Sequence, residues 1–397
     1  MDKIETDIVI AGGGVAGLVA AITFAADGHK VLCVDPVPPV TDGASADADL
    51  RSTAYLVPAC NLFKEIGLWH HLEPQATRLD VMRLIDAGGV ENLPRQTSDF
   101  VAQDIGQESF GVNVLNWMMR KALMAALESS TAELRALDRV TRITTRLDGV
   151  RVRLASGAMV HAKLLLGADG RNSFVRESSG IRARRWGYDQ TALVFAVTHP
   201  VPHQNISTEL HRTGGPFTLV PMPDHEGSPQ SAVVWMEDAA QAQALMDLDE
   251  VTFSAAASER SCGVQGRLTL NSRRAAWPII SLLADRMNGP RTALMAEAAH
   301  VMPPIGAQGL NTSLGDVRAL RDLMRGADDI GDEALLTRYN RMRHPQAVLR
   351  VKGVDALNRA AQTNIQALRD LRMQGLRALS TVTPVKHGLM QLGLGRG

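Results

Sequence analysis

The sequence predicts an α/β fold in two lobes with C-terminal helices, on three observations. A buried strand, a glycine-rich turn and a helix open the chain, short β-like runs fill its middle, and a basic helix-patterned segment closes it. At 397 residues the chain exceeds what one ordinary core supports, so more than one lobe is expected.

The first observation is the most local. Ile8-Val9-Ile10-Ala11 reads as a short buried strand, Gly12-Gly13-Gly14-Val15-Ala16-Gly17 follows at once, and residues 18–26 read as a helix stopped by Asp27-Gly28. A second apolar run at 30–34 ends on Asp35, completing a βαβ unit. In this GxGxxG pattern Gly12 permits the tight turn, Gly14 lets the backbone approach a pyrophosphate, and Gly17 lets helix pack closely on strand. Ala16 lies in the same turn, where the helix N-terminus offers free N–H groups and a positive dipole end to phosphate. Asp35 is spaced to accept hydrogen bonds from a ribose. A Rossmann-like dinucleotide-binding domain is the expectation, with FAD and NAD equally served by this turn alone.

Composition narrows the classes. Hydrophobic residues at 45% and charged residues at 21% are those of a globular protein, while aromatics at 4% and zero net charge give nucleic acid little to bind. Cys33, Cys60 and Cys262 lie far apart, so neither a disulfide framework nor a metal site is suggested, and a cytoplasmic setting is the default. The uncharged stretch 8–26 could span a bilayer by length. Its acidic flank and glycine cluster favour strand plus helix instead.

Two further motifs separate FAD from NAD. Leu164-Leu165-Leu166-Gly167-Ala168-Asp169-Gly170-Arg171-Asn172-Ser173 is a buried strand running into a polar turn. Thr292 to Ala296 reads as a strand reaching the acid Glu297, then His300, the loop Pro303-Pro304-Ile305-Gly306-Ala307-Gln308-Gly309, and a helix from about Leu310-Asn311. In this order the three segments resemble the group A flavin monooxygenases, the para-hydroxybenzoate hydroxylase-like family. Further stretches narrow the resemblance to the ubiquinone-biosynthesis hydroxylases of the UbiH/UbiF group: Asp49-Leu50-Arg51-Ser52-Thr53-Ala54, Leu62 to Trp69, Trp186-Gly187-Tyr188-Asp189-Gln190-Thr191-Ala192, and the C-terminal residues 355–359 and 368–377. It covers nearly the whole chain.

The resemblance implies bound FAD, with NAD(P)H or another electron donor visiting transiently. It implies that Asp169 lies near the pyrophosphate, that Arg51 and Arg120 flank the flavin, and that Glu297 holds ribityl or ribose hydroxyls. Pro304, Gly306 and Gly309 would lie against the isoalloxazine, with Leu310 and Asn311 at a helix N-terminus aimed at its pyrimidine edge. One departure is visible, since Ala296-Glu297 stands where the family usually has Gly-Asp. Arg51 and Arg120 also read as solvated surface arginines, and His300 as a structural member of its loop. No side-chain nucleophile or paired carboxylate is evident, in keeping with chemistry carried by a cofactor. The implied reaction is addition of one atom of O2 to the ring of a polyprenylated phenol on the way to ubiquinone, through a C4a-hydroperoxyflavin. A flavin hydroxylase of a soluble aromatic, or a flavin-binding scaffold in a quinone-synthesis complex, are the alternatives.

The second observation places the other lobe. Apolar runs at 192–197, 216–221 and 232–236 suit an antiparallel sheet, to which 79–85 adds a strand, forming a lid over the flavin. The expected division assigns 1–75, 101–179 and 270–340 to the FAD-binding domain, 76–100 and 180–269 to the substrate-binding domain, and 341–397 to a basic helical segment. That segment is the third observation. From Arg341 onward ten Lys and Arg face Asp355 and Asp370, a balance of +8, leaving 32 basic and 40 acidic residues before it, −8. Val354, Leu357, Ala361, Ile365 and Leu368 recur at helical spacing. Such a helix suits an anionic membrane, a quinone-biosynthesis complex, or the flavin lobe itself, so a peripheral place on the inner membrane stays open.

Overall fold

The computed structural model describes residues 3–89, 91 and 93–395. The opening motif folds as strand Ile8–Ala11, helix Val15–Ala26 and strand Val31–Asp35. All but the last of these strand residues are buried, as expected where helices or loops cover both sheet faces. They belong to a six-stranded sheet ordered Asn288–Gly289, Thr292–Leu294, Leu164–Gly167, Ile8–Ala11, Val31–Asp35, Glu133–Ala136. Every neighbouring pair is parallel except the first. Because Gly167 pairs with both Ala11 and Leu294, three strands end side by side at one sheet edge. Three motifs far apart in sequence thereby leave the sheet together.

The second lobe is built on a sheet whose spine is the strand Ala183–Thr198. It pairs antiparallel with Ser228–Asp238 on one side and Ala275–Ala284 on the other. The runs at 216–221 and 232–236 lie in Pro216–His225 and Ser228–Asp238, and Val81–Asp86 joins the sheet by parallel pairing with Ile206–His211. Ala275–Ala284 lies within the stretch 270–340 expected in the nucleotide lobe, yet it hydrogen-bonds into this sheet. One sheet face buries Leu193, Phe195, Phe217 and Trp235 against residues of helices Ala239–Met246 and Glu250–Arg260. The other face packs Ala192, Met236 and Ile279 on Met302 and Ile305 of the proline-glycine loop and on Val351 and Val354.

The long helix Glu333–Gln362 is followed by Gln366–Thr381 and Thr383–Gly393. Gln366–Thr381 docks on the sheet lobe. Arg372 donates to Asp86 at 2.9 Å, and Arg95 bridges Asp86 and Asp370. Met390 and Leu394 bury against Leu56, Ala102 and Phe110. The basic segment is thus folded back on the body while part of its apolar surface stays outward.

Candidate functional site at the lobe junction

The glycine turn shows why each position is glycine. An ideal Cβ on Gly12, whose φ is 109°, would meet the Ala168 carbonyl oxygen at 2.2 Å, and one on Gly17 would meet the Gly12 carbonyl oxygen at 1.9 Å. Gly13, unassigned by spacing, is pressed against Asp35, whose Oδ2 accepts its N–H at 2.5 Å. Around Gly14 nothing lies within 4 Å of the added Cβ. Gly14 is exposed at the N-terminus of Val15–Ala26, which has no side-chain cap and no acid in its first turn. Ala16 is buried behind it. The result is an open cradle of unpaired N–H groups, which fits a pyrophosphate.

The second turn is self-bonded. Asp169 accepts from the Ser173 hydroxyl and from the Val175 N–H at 3.0 Å. Burial pushes its carboxyl above the ordinary value. Arg176, buried just beyond, donates to the Ala298 carbonyl at 3.0 Å and the Arg171 carbonyl at 3.1 Å. That guanidinium ties the second motif to the third, a role the local sequence did not signal.

In the third motif Ala296 adopts φ 55°, a left-handed conformation native to glycine, where the family pattern has glycine. Glu297 projects exposed between buried Ala296 and Ala298. The helix begins at Gln308, two residues before the expected start, because Gly306 at φ 60° and Ala307 at φ 55° turn the chain into it. Pro304 is exposed and nothing lies within 4 Å of a Cβ on Gly309. The Leu310 side chain packs on the main core. Asn311 is committed to the protein: its amide donates to the Ala54 and Ala307 carbonyls at 2.8 and 2.7 Å and its oxygen accepts from the Leu56 N–H at 2.9 Å. It staples the helix N-terminus to strand Ser52–Leu56.

Asp49 gathers the two arginines. Arg51 grips it through two bonds of 2.8 and 2.7 Å, Asn116 donates to it at 3.0 Å, and Arg120 stands 3.5 Å away. Burial raises the Asp49 carboxyl, but the bonds from Arg51 and Asn116 and the Arg120 charge outweigh it and hold it low. Arg51 also lies over the Trp277 ring at 4.5 Å. Arg51 and Arg120 are therefore partnered residues at the lobe junction.

Behind the loop, His300 and Arg343 clamp fully buried Asp316 at 2.7 and 2.8 Å. His300 has a structural role in this clamp: its partner Asp316 lies on the helix Gln308–Met324, and the second clamp on that carboxylate, Arg343, comes from the long helix. Beside Leu50, a cavity of about 300 Å³ opens between Leu115 and Met118 of the first lobe and Ala196, Met222 and Pro223 of the second.

A glycine-rich turn fit for a pyrophosphate, two further turns on adjacent strand ends and a second lobe packed against them are the features of a flavin-dependent oxidoreductase. A family model described as FAD binding domain matches residues 5–353. The chain is 33% identical over 399 residues to the ubiquinone hydroxylase UbiL of Rhodospirillum rubrum, covering 99% of this chain and 90% of that one. It is 27% identical to the 3-demethoxyubiquinol 3-hydroxylase of Escherichia coli, over the full length of both. By fold it matches the p-nitrophenol 4-monooxygenase PnpA of Pseudomonas putida with a TM-score of 0.77 at 17% identity, covering 100% and 99% of the two chains. The chain belongs to the FAD-binding monooxygenase family, in its ubiquinone-hydroxylase branch, and its cofactor is FAD.

Proposed function

We propose that this protein hydroxylates the aromatic ring of a polyprenylated phenol in ubiquinone biosynthesis. The observation that carries the reading is the convergence of the three motifs on adjacent strand ends, beneath a second lobe and beside an apolar cavity. The names of the ubiquinone-hydroxylase relatives supply the substrate class.

In this reading Gly12, Gly14, Ala16 and Gly17 seat the pyrophosphate and Asp35 the adenosine ribose. Arg51 and Arg120, aimed by Asp49, face the phosphates, and Asp169 shapes the turn beside them. Glu297 reaches ribityl or ribose hydroxyls. Pro304, Gly306, Gly309, Leu310 and Asn311 present the loop and helix N-terminus to the isoalloxazine, Asn311 by its backbone because its side chain is already bonded. Reduced FAD supplies the means to activate O2, with NAD(P)H as a transient reductant. The chain's residues bind and orient the phenol, exclude water, and stabilise negative charge at the flavin edge through the helix dipole. No paired carboxylate is required for that chemistry.

The outward apolar surface of the C-terminal helices suits contact with the membrane that holds such a substrate, which we include in the proposal. Lipid analysis of a deletion strain tests the function. Loss of ubiquinone with accumulation of an under-hydroxylated polyprenyl phenol, restored by the wild-type gene, is expected. Normal ubiquinone in the deletion strain overturns the reading.

A further inference from the structure

We propose that the cavity beside Leu50 takes the first isoprene units of the substrate's polyprenyl tail, with Ala196 and Met118 setting its depth. The inference rests on the phenol reading above.

The sheet face turned away from helices Ala239–Met246 and Glu250–Arg260 divides into rows. Alternation along Ala183–Thr198 sends Leu193, Phe195 and Val197 into the core under those helices and leaves Ala192, Val194 and Ala196 on the opposite face. Pairing sets Ala192 beside Met236, Val194 beside Val234 and Ala196 beside Ala232. The first row is covered, since Met302 and Ile305 of the proline-glycine loop pack on it. The third row, with Met222, packs against Leu115, and the cavity opens there. Ala196 is four residues beyond Ala192, roughly 13 Å at about 3.3 Å per residue. The cavity is therefore set apart from the loop expected against the isoalloxazine by about the length of one aromatic ring and its contacts. In the row between, Val234 and its partner Thr218 are only half-buried. A phenol ring lying over that middle row delivers its tail into the cavity.

The lining suits a hydrocarbon. Leu50, Leu115 and Met118 from the first lobe face Ala196 and Met222 from the second across about 300 Å³. Ser272 on the same wall is already engaged, accepting the Ala196 N–H at 2.7 Å and donating to the Arg273 carbonyl at 2.9 Å. The charged lining residues, Asp224 and His225, are exposed where Pro216–His225 turns into Ser228–Asp238, and Gln230 beside them is half-buried. Polarity is thus confined to the mouth. An apolar tail gains from burial in such a space, whereas a charged ligand would find no buried counter-charge there. Volume sets the count. A chain carbon takes about the share of a liquid water, roughly 30 Å³, so the space holds about ten carbons, or about two isoprene units. The rest of the tail leaves past the exposed hairpin.

The test uses the FAD-loaded, oxidised protein and a series of probes with no tail and with one, two and three isoprene units: phenol, 2-prenylphenol, 2-geranylphenol and 2-farnesylphenol. Equilibrium dialysis gives the affinities. Each of the first two units should tighten binding about tenfold, part of the burial gain being lost to ordering the tail, and the third should add about twofold at most. Ala196→Leu fills the space and should abolish the gain from the tail while phenol itself binds within about twofold of wild type. Met118→Ala deepens it and should let the third unit tighten binding by about fivefold. Equal affinities across the wild-type series, or a rise that continues unbroken through the third unit, overturns the proposal. So does an Ala196→Leu protein that loses phenol and tailed probes alike, since the cavity would then be the ring's own site. Should Ala196→Leu fail to hold FAD, a Met118→Ala series that stops at the second unit, as the wild type does, overturns it instead. A protein that restores ubiquinone and binds phenol but gains nothing from a tail loses this inference alone, whereas normal ubiquinone in the deletion strain removes the phenol reading.

Discussion

Gly14 and Gly17 sit three residues apart and serve opposite ends. A methyl group on Gly17 would strike the Gly12 carbonyl at 1.9 Å, so Gly17→Ala deforms the turn in the protein itself. Gly14 has open space around the same methyl, which can collide only with a ligand. Gly14→Ala is therefore expected to unfold in urea within roughly 1 kcal/mol of wild-type apoprotein while raising the FAD dissociation constant about 100-fold, near 2.7 kcal/mol. Gly17→Ala should lose both. Flavin fluorescence titration beside equilibrium urea unfolding separates them, and equal stability losses in the two variants would refute the distinction. Ala296 carries the reverse lesson. Its φ of 55° is unfavourable for alanine, so Ala296→Gly should stabilise the protein by about 0.5–1 kcal/mol in urea. A lower midpoint would show that the turn is not strained. The glycine spacing was legible in the sequence because each glycine marks its own backbone need. The strain at Ala296 was visible only as a departure from a pattern, since the identity of alanine carries no φ.

At the scale of elements, one buried carboxylate holds three segments. Asp316 on helix Gln308–Met324 receives His300 from the loop and Arg343 from the long helix. Burial alone would raise its carboxyl, but the charges of His300 and Arg343 outweigh that and hold it below the ordinary value of 3.8. A folded-state value below the unfolded one means its stabilisation is complete above the unfolded value and lost as pH falls through the folded one. Stability should therefore drop on acidification below about pH 4, and the drop should be shallower in Asp316→Asn. At neutral pH that variant leaves the Arg343 charge buried without a carboxylate, a loss of about 3–5 kcal/mol by urea unfolding. A loss under 1 kcal/mol would contradict the clamp. None of this clamp was legible locally. His300 read as a structural loop residue, Arg343 fell within the basic tail and nothing singled out Asp316, so only the packing of two helices on one loop makes them partners. The parallel strands, by contrast, announced themselves through unbroken apolar runs. The strand Ala275–Ala284 did not reveal its sheet, because strand pairing is set by neighbours remote in sequence.

Across the whole molecule the charge is divided, and the fold decides what that division can do. The basic segment does not hang free. Arg372 and Arg95 spend their charges on Asp86 and Asp370, and Lys386 binds Asp104 at 2.8 Å. Apolar side chains also remain outward: Ile365 just before and Leu368 and Leu371 along Gln366–Thr381, and Val385, Leu389 and Leu392 along Thr383–Gly393, each between 41% and 63% exposed. The second set recurs at four and three residues, one helix face. Among the described residues no helix is long and apolar enough to cross a membrane, and under the membrane contact proposed above this surface would lie on the bilayer. Arg377 on the helix Gln366–Thr381 and Lys352 on the preceding helix are exposed and add charge. Apolar insertion then supplies most of the attraction and the residual basic groups a salt-sensitive part, about 1 kcal/mol for each that reaches an anionic surface. Vesicles containing one-third phosphatidylglycerol should sediment the protein, neutral vesicles less of it, and added salt should weaken rather than abolish the association. Replacing Leu389 and Leu392 with serine exposes no core, since both already face outward, and should cost at least tenfold in vesicle affinity with flavin absorbance unchanged. If that double variant sediments with vesicles as the parent does, the outward stripe is not the membrane contact.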